Sequence, residues 1–402
     1  MRRNLLTLFV IAFVLALSAC QKNDSAGGAA GNASTGNGDI LVGEYGSLTG
    51  PQATFGQSTH NAIQMALDEI NAAGGVNGRK IKLLTEDDQS KQEEAANAVT
   101  KLISQNNVLA VLGEVASSNS LAAAPICQSN KVPMITPSST NPEVTRKGDY
   151  IFRVCFTDDY QGENIARYAA TQLHYKRAAI LTDVKNDYST GLTATIERVF
   201  TSLGGQIVGK QSYSNGDSDF RSQLTAVRAS NPEAIFVPGY YTDVGQIAIQ
   251  ARDLGMKQPL LGGDGWESPK LIEIGGKALE GCMYTNHYFY ADPSPTVANF
   301  VQKYKERYGA IPDGMAALGY DAARVFADAI KRAKKLDGPS VRDAIGATKG
   351  FPGVTGTITL GPERNAVGKK IIIEEVKGGQ LTLRATIQPT AGGAPAPASS
   401  AQ

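Results

Sequence analysis

Short apolar, β-rich runs alternate with amphipathic helical stretches along most of this chain, and that alternation limits the possible folds more than any other feature. Residues 40–43, 81–84, 108–112, 132–135, 178–181, 234–237 and 259–261 are apolar segments three to five residues long. Runs of this kind suit strands covered on both faces, as in a parallel sheet. Between them lie helical patterns such as 57–73, where Ile63, Ala66, Leu67 and Ile70 fall on one face. The βαβα order predicts an α/β layered fold. With 402 residues the chain is too long for one compact domain, so two α/β lobes, each with its own sheet, are expected.

The two ends are of a different character. Arg2 and Arg3 precede an apolar run of thirteen residues, 5–17, and Leu17-Ser18-Ala19-Cys20 follows. Thirteen helical residues rise only about 20 Å, short of a hydrocarbon core of about 30 Å, so the run reads as a signal segment and not as a membrane span. Small residues directly before a cysteine resemble the bacterial lipobox, which implies removal of residues 1–19 and lipid attachment at Cys20. Residues 20–38 then read as lipid anchor and flexible Gly/Ala/Ser/Asn tether, and 389–402 as a disordered tail.

Charge and cysteine usage exclude several classes. Lys plus Arg total 39 against 38 Asp plus Glu, so the basic surplus of a nucleic-acid binder is missing. The four cysteines, 20, 127, 155 and 282, contain no C-x-x-C pair, which excludes a zinc ribbon or dithiol motif. His60, His174 and His287 are far apart and accompany no nucleophile elbow or metal-binding helix motif. The glycines at 43, 46 and 50 miss dinucleotide-loop spacing. Glu86-Asp87-Asp88 resembles a metal cluster, but acidic residues at a strand end more commonly begin a solvated loop. No cofactor, no metal and no catalysis are expected.

Small polar and aromatic clusters follow the predicted strands. Ser117 to Asn119 come after 108–112, the run Thr136-Pro137-Ser138-Ser139-Thr140 after 132–135, and Tyr188 after 178–181. Tyr240 and Tyr241 come after 234–237, and Asp264 and Trp266 after 259–261. These are carboxyl ends of strands, the edge at which open α/β sheets bind ligands.

Several ordered motifs carry a resemblance. Gly46-Ser47-Leu48-Thr49-Gly50-Pro51 with Phe55-Gly56, then Ile70 to Gly78, Ile135 to Thr140, Gly239-Tyr240 with Gly245-Gln246, and Gly263-Asp264-Gly265 resemble the periplasmic leucine/isoleucine/valine-binding proteins over about residues 39–388. The resemblance implies a type I periplasmic binding protein: two similar Rossmann-like lobes joined by a three-segment hinge. It implies an N-terminal lobe of 39–156 plus 288–365 and a C-terminal lobe of 157–287 plus 366–388. It further implies an amino-acid site at Ser117, Ser138, Thr140, Tyr188, Tyr240 and Asp264, with Phe55 at the side-chain end and Trp266 as additional wall.

The residue types agree with that chemistry. A bound zwitterion needs donors for its carboxylate and acceptors for its ammonium, or it loses several kcal/mol to desolvation. Ser117, at the start of a helical stretch, and Thr140 offer donors, Ser138 a carbonyl, and Asp264 the counter-charge. Each also has a plainer reading: Ser117 and Ser118 as helix caps, the 136–140 run and Asp264 as turns, Tyr188 and Tyr240 as packed aromatics.

The chain departs from the family pattern in two ways. The best-known amino-acid binders carry Glu where Asp264 stands, and an intralobe disulfide at the positions of Gln89 and Ala116. Here Cys155 and Cys282 fall on expected neighbouring hinge segments, leaving either a disulfide or two buried thiols open; Cys127 reads as a small buried hydrophobe.

The expected function is a monomeric, lipid-anchored solute-binding protein of an ABC importer, in the periplasm or cell envelope. It would take a branched-chain or other aliphatic amino acid and deliver it to membrane permease subunits. A short amide, urea or an aromatic acid is the alternative ligand class, and a sensor the alternative role.

Overall fold

A computed structural model describes residues 38–389 and 399–400. Cys20, residues 1–19 and all of the tether but its last residue lie outside the described residues, as does most of the tail. The first sheet contains β1 (Ile40–Gly46), β2 (Ile81–Asp87), β3 (Val111–Leu112), β4 (Met134–Thr136) and β5 (Ile151–Arg153). These strands run parallel in the order β2-β1-β3-β4-β5. Its register places Ile40 opposite Ile81 and Gly43 opposite Val111. Alternate residues face opposite ways, as strand geometry requires. Val42, Ala110, Leu112 and Ile135 join helices Ala53–Ala72 and Gly314–Arg332 in one core, while Tyr45, Val111, Met134 and Ile151 join helices Gln92–Ser104 and Ser117–Ser129 in another.

The second sheet begins with β6 (Arg177–Asp183), β7 (Gln206–Tyr213), β8 (Ala234–Phe236), β9 (Leu260–Gly262) and β10 (Met283–Asn286), parallel in the order β7-β6-β8-β9-β10. A small antiparallel sheet, β11 (Phe351–Gly353), β12 (Gly356–Leu360) and β13 (Ala366–Val367), packs on the first lobe's core through Ile358, Leu360 and Ala366. The chain then returns to the second sheet, adding β14 (Ile371–Lys377) antiparallel to β10, and next β15 (Gln380–Ile387). Three crossings therefore join the sheets: between β5 and β6, between β10 and β11, and between β13 and β14.

All seven apolar segments contain strands, but the second sheet is mixed because β14 and β15 run antiparallel. Two further expectations need correction. Part of the supposedly disordered tail, Ser399–Ser400, forms β16 against Thr386 and Ala385 of β15, where an edge strand offers unpaired backbone groups. Asp88 is not a solvated loop start: it is fully buried, with Oδ1 accepting from Ser47 Oγ and the Ser90 backbone.

For Cys155 and Cys282, where a disulfide and two buried thiols were both open, the structure shows two buried thiols. Both thiols are free, because they belong to different cores. Cys155 Sγ donates to Ser139 O at 3.5 Å, and Cys282 Sγ accepts from the Leu260 amide at 3.4 Å. Cys127 is a buried thiol, as expected.

Candidate functional site

The carboxyl ends of both sheets meet at one cavity. It is lined by Phe55, Val115, Ser138, Thr140 and Met315 from the first lobe and by Tyr188, Tyr240, Asp264 and Gly265 from the second. It encloses about 190 Å³ of unfilled space, part of it open to solvent.

Local sequence explains how each group arrives there. Asn186 caps helix Asp187–Ser202 by accepting from the Tyr188 backbone at 3.0 Å, which fixes the start of the helix that carries the Tyr188 ring. Tyr240 is the residue before helix Tyr241–Asp253, in extended conformation. Its ring stacks on Tyr188 with centroids 5.3 Å apart and meets Phe55 edge-on at 5.4 Å. Asp264 opens the 3₁₀ turn Asp264–Trp266 just past β9. The turn is tied down on both sides: Gly265 N donates to Tyr188 Oη at 3.0 Å, and Asp264 N to Gln161 Oε1 at 3.1 Å.

An acidic pair stands at the polar end. Gln161 Nε2 donates to both Asp158 Oδ1 and Asp264 Oδ1, each at 2.8 Å. His287 Nε2 lies 2.8 Å from Asp264 Oδ2. Burial, followed by the Asp264 charge, pushes the Asp158 carboxyl up to about 8. Asp158 Oδ2 and Ser138 Oγ are buried without a hydrogen-bond partner.

Six of the eight expected ligand residues line the cavity; Ser117 and Trp266 do not. Ser117 is buried next to it, its Oγ accepting from the Asn141 backbone at 3.2 Å. The plainer reading of Ser117 and Ser118 as caps also fails, since Ala116 precedes helix Ser117–Ser129 and makes no side-chain cap. Its first amides are left without helical partners. Trp266 is a correction: the 3₁₀ turn swings its ring into the second lobe, where it is fully buried and Nε1 donates to Val237 O at 2.9 Å. The 136–140 run is a turn and a wall together, with Thr136 Oγ1 accepting from the Ser138 and Ser139 amides while Ser138 and Thr140 face the cavity.

Sequence reasoning missed Val115, Gly265 and Met315 in the lining, and Asp158, Gln161 and His287 around Asp264. Only Asp158 had a local signal, an acid in the first turn of a helix capped by Thr157. Val115 and Gly265 are near neighbours of Ser117 and Asp264 in the sequence, whereas Met315, Gln161 and His287 come from other segments of the chain.

The lobes touch directly beside the cavity. Asn141 Nδ2 donates to Asp187 O at 2.7 Å, Tyr241 Oη donates to Pro51 O at 2.9 Å, and Thr54 Oγ1 lies 2.8 Å from Ser268 Oγ. Phe55, Val115 and Met315 belong to the same buried cluster as Tyr188 and Tyr240. This is a closed two-lobed clamp around a small polar-and-apolar chamber.

Residues 39–380 match the family model described as periplasmic binding protein. The chain belongs to that family. Among its relatives, an amino acid binding protein of Pseudomonas aeruginosa is 31% identical over 304 residues, covering 74% of this chain and 80% of that one. A solved leucine binding protein of Thermotoga maritima is 41% identical with a TM-score of 0.84, covering 87% of this chain and 99% of the other. The substrate binding protein of a Streptococcus pneumoniae branched-chain amino acid transporter, solved with isoleucine, is 31% identical with a TM-score of 0.82, covering 87% and 100%. A Rhodopseudomonas palustris solute binding protein in complex with 3,4-dihydroxybenzoic acid is 27% identical with a TM-score of 0.75, covering 90% and 96%. The chain is thus a solute-binding protein of the branched-chain amino acid group within the periplasmic binding proteins. Like its neighbours, this periplasmic binding protein places its candidate site between two α/β lobes.

Proposed function

We propose that this chain is the extracytoplasmic solute-binding lipoprotein of an ABC importer, anchored through Cys20, and that it binds a free branched-chain or other aliphatic amino acid between its lobes. One observation supports the ligand class above others: Asp264, beside Asp158, puts negative charge at one end of a chamber otherwise lined by Phe55, Val115, Met315 and two tyrosines, with Gly265, Ser138 and Thr140. Only a ligand with a cationic end and an apolar body satisfies both halves. Its carboxylate would be received by Thr140 and the uncapped amides of helix Ser117–Ser129, where the helix dipole favours an anion, while Ser138 offers its carbonyl to the ammonium. An aromatic acid, bound by one solved neighbour, would leave the acidic pair unpaired.

A thermal-shift screen of the full mature chain against the twenty amino acids, urea, short amides and benzoates tests the reading. The largest upward shift is expected from leucine, isoleucine or valine; a shift from benzoates or amides alone would replace the amino-acid reading. Cys20→Ser is expected to move the protein from the membrane to the soluble fraction with unchanged ligand affinity. A wild-type protein found wholly soluble with an unmodified N-terminus would refute the anchor.

A further inference from the structure

Asp264 reaches the cavity as one end of a chain of groups that runs back into two of the crossings between the lobes. His287 follows β10, directly at the second crossing, and is fully buried. Its ring stacks on Phe156 of the first crossing with centroids 3.6 Å apart and planes 21° from parallel. Its backbone amide donates to Asn286 Oδ1 at 2.6 Å. Nε2 faces Asp264 Oδ2 at 2.8 Å, whereas Nδ1 has no partner.

The tautomer follows from these contacts. A carboxylate oxygen only accepts, so the imidazole proton in a hydrogen bond to Asp264 must sit on Nε2. Nδ1 is then a bare lone pair in a pocket that offers it no donor, which neutral histidine tolerates far better than a second N–H or a full charge would. The titratable groups acting on the ring are Asp264 from the turn after β9 and Lys369 from the third crossing, with Asp158 linked to Asp264 through Gln161. Burial lowers the His287 pKa, Asp264 pulls it back up in part, and Lys369 lowers it further.

We propose that His287 is a positioning residue for the ligand's ammonium group: a neutral Nε2–H donor that holds the Asp264 carboxylate in place without cancelling its charge. This rests on the amino-acid reading of the cavity. Gln161, also neutral, holds Oδ1 in the same way. Two neutral donors fix the orientation of a carboxylate and leave its full negative charge for the ligand. A lysine, arginine or imidazolium in place of His287 would form its own ion pair with Asp264 and compete with the ammonium. Because His287 sits in the second crossing and stacks on Phe156 of the first, the place of the carboxylate depends on how these two crossings are arranged.

The test combines spectroscopy and calorimetry on the full mature protein. Long-range ¹H–¹⁵N correlation spectra, assigned with His60→Gln and His174→Gln, are expected to show His287 as the neutral Nε2–H tautomer with shifts constant from pH 6 to pH 8. With L-leucine as probe, His287→Ala is expected to weaken binding roughly 10- to 100-fold, the range for a hydrogen bond to a charged group. His287→Gln, whose Nε2 can donate at a similar reach, should recover binding to within about fivefold of wild type. A protonated or Nδ1–H ring at pH 7, or His287→Ala binding L-leucine within threefold of wild type, would overturn the inference. If His287→Ala does not fold, the wild-type spectra and the glutamine variant still decide. Wild-type protein that binds none of the twenty amino acids would defeat the ligand reading instead, and the tautomer would still report on the His287–Asp264 contact.

Discussion

Asp264 is where the chemistry of the site concentrates. It is nearly fully buried, accepts from two neutral donors, and borders a cavity with no protein cation in its lining. Asp264→Asn keeps the shape and removes the charge. A zwitterionic ligand should then lose about 2–4 kcal/mol, roughly 30- to 1000-fold in affinity, measured by calorimetry. Binding that survives within threefold would show that the ligand has no ammonium group at this position, and an amide or aromatic acid would take its place. The chain carries Asp where the best-known amino-acid binders of the family carry Glu. Here the shorter side chain is met by Gln161 and His287 at 2.8 Å each, so the carboxylate is held by partners that come to it.

Among elements, the turn Asp264–Trp266 shows why glycine flanks the acid. A β-carbon on Gly265 would come within 2.8 Å of Gly239 O and of Tyr188 Cε1, and within 2.9 Å of Tyr240 Cδ1. One on Gly263 would meet Tyr188 Oη at 2.5 Å. The glycines are needed for close approach, since neither has a positive φ. Gly265→Ala should therefore push the turn away from the tyrosine wall and weaken ligand binding roughly 5- to 150-fold, the effect of an overpacking strain of about 1–3 kcal/mol falling on the site. Unchanged affinity in titration calorimetry would mean that the turn can shift without moving Asp264. Helix Ser117–Ser129 carries a related lesson. Its opening serines resemble caps in sequence, yet Ser118 Oγ reaches across to Asp187, donating to Oδ2 at 2.7 Å and accepting from its backbone at 3.0 Å.

For the whole molecule, the interlobe bonds and the shared apolar cluster describe a form in which both halves of the site act together. Ligand should stabilise this form because only it offers both half-sites. Solution scattering is expected to show a smaller radius of gyration with the tightest ligand from the screen, reversed on dialysis, with the ligand recovered chemically intact. Tight binding with no compaction would contradict closure, and an altered ligand would point to an enzyme.

Protonation acts at the same scale. Burial pushes the carboxyls of Asp158 up to about 8, of Asp243 and Asp313 up to about 7, and of Asp88 up to about 6. Groups with raised folded-state values add stability at low pH that is lost as pH rises through those values. Groups that act in the opposite sense do so outside the range from about pH 6.5 to about pH 8: carboxyls held below their ordinary value, such as Asp87 and Asp149, change their contribution only at more acid pH. Neutral buried His287 costs stability mainly below its ordinary value of 6.5, and Lys369, lowered to about 8, changes its contribution only above that value. Tm should therefore fall from about pH 6.5 to about pH 8, and Asp158→Asn should make the fall shallower. A Tm that is flat or rises across this range would contradict the burial of these acids.

The sequence by itself determined the layered α/β class, the positions of seven strands, and the strand ends at which ligand groups collect. Apolar runs, helical periodicity and turn glycines are local signals, and Phe55, Ser138, Thr140, Tyr188, Tyr240 and Asp264 stand next to them. Only the tertiary structure decided which of these side chains face one another. Trp266 and Ser117 carry the same local signals, but a 3₁₀ turn and a backbone hydrogen bond take them out of the cavity lining. Met315, Gln161 and His287 carry no such signal, because their roles come from the crossings that bring residues more than a hundred positions apart into contact, as Gln161 is with Asp264. Periodicity can tell which face of a helix is buried; which partner it meets depends on how the two sheets close on each other.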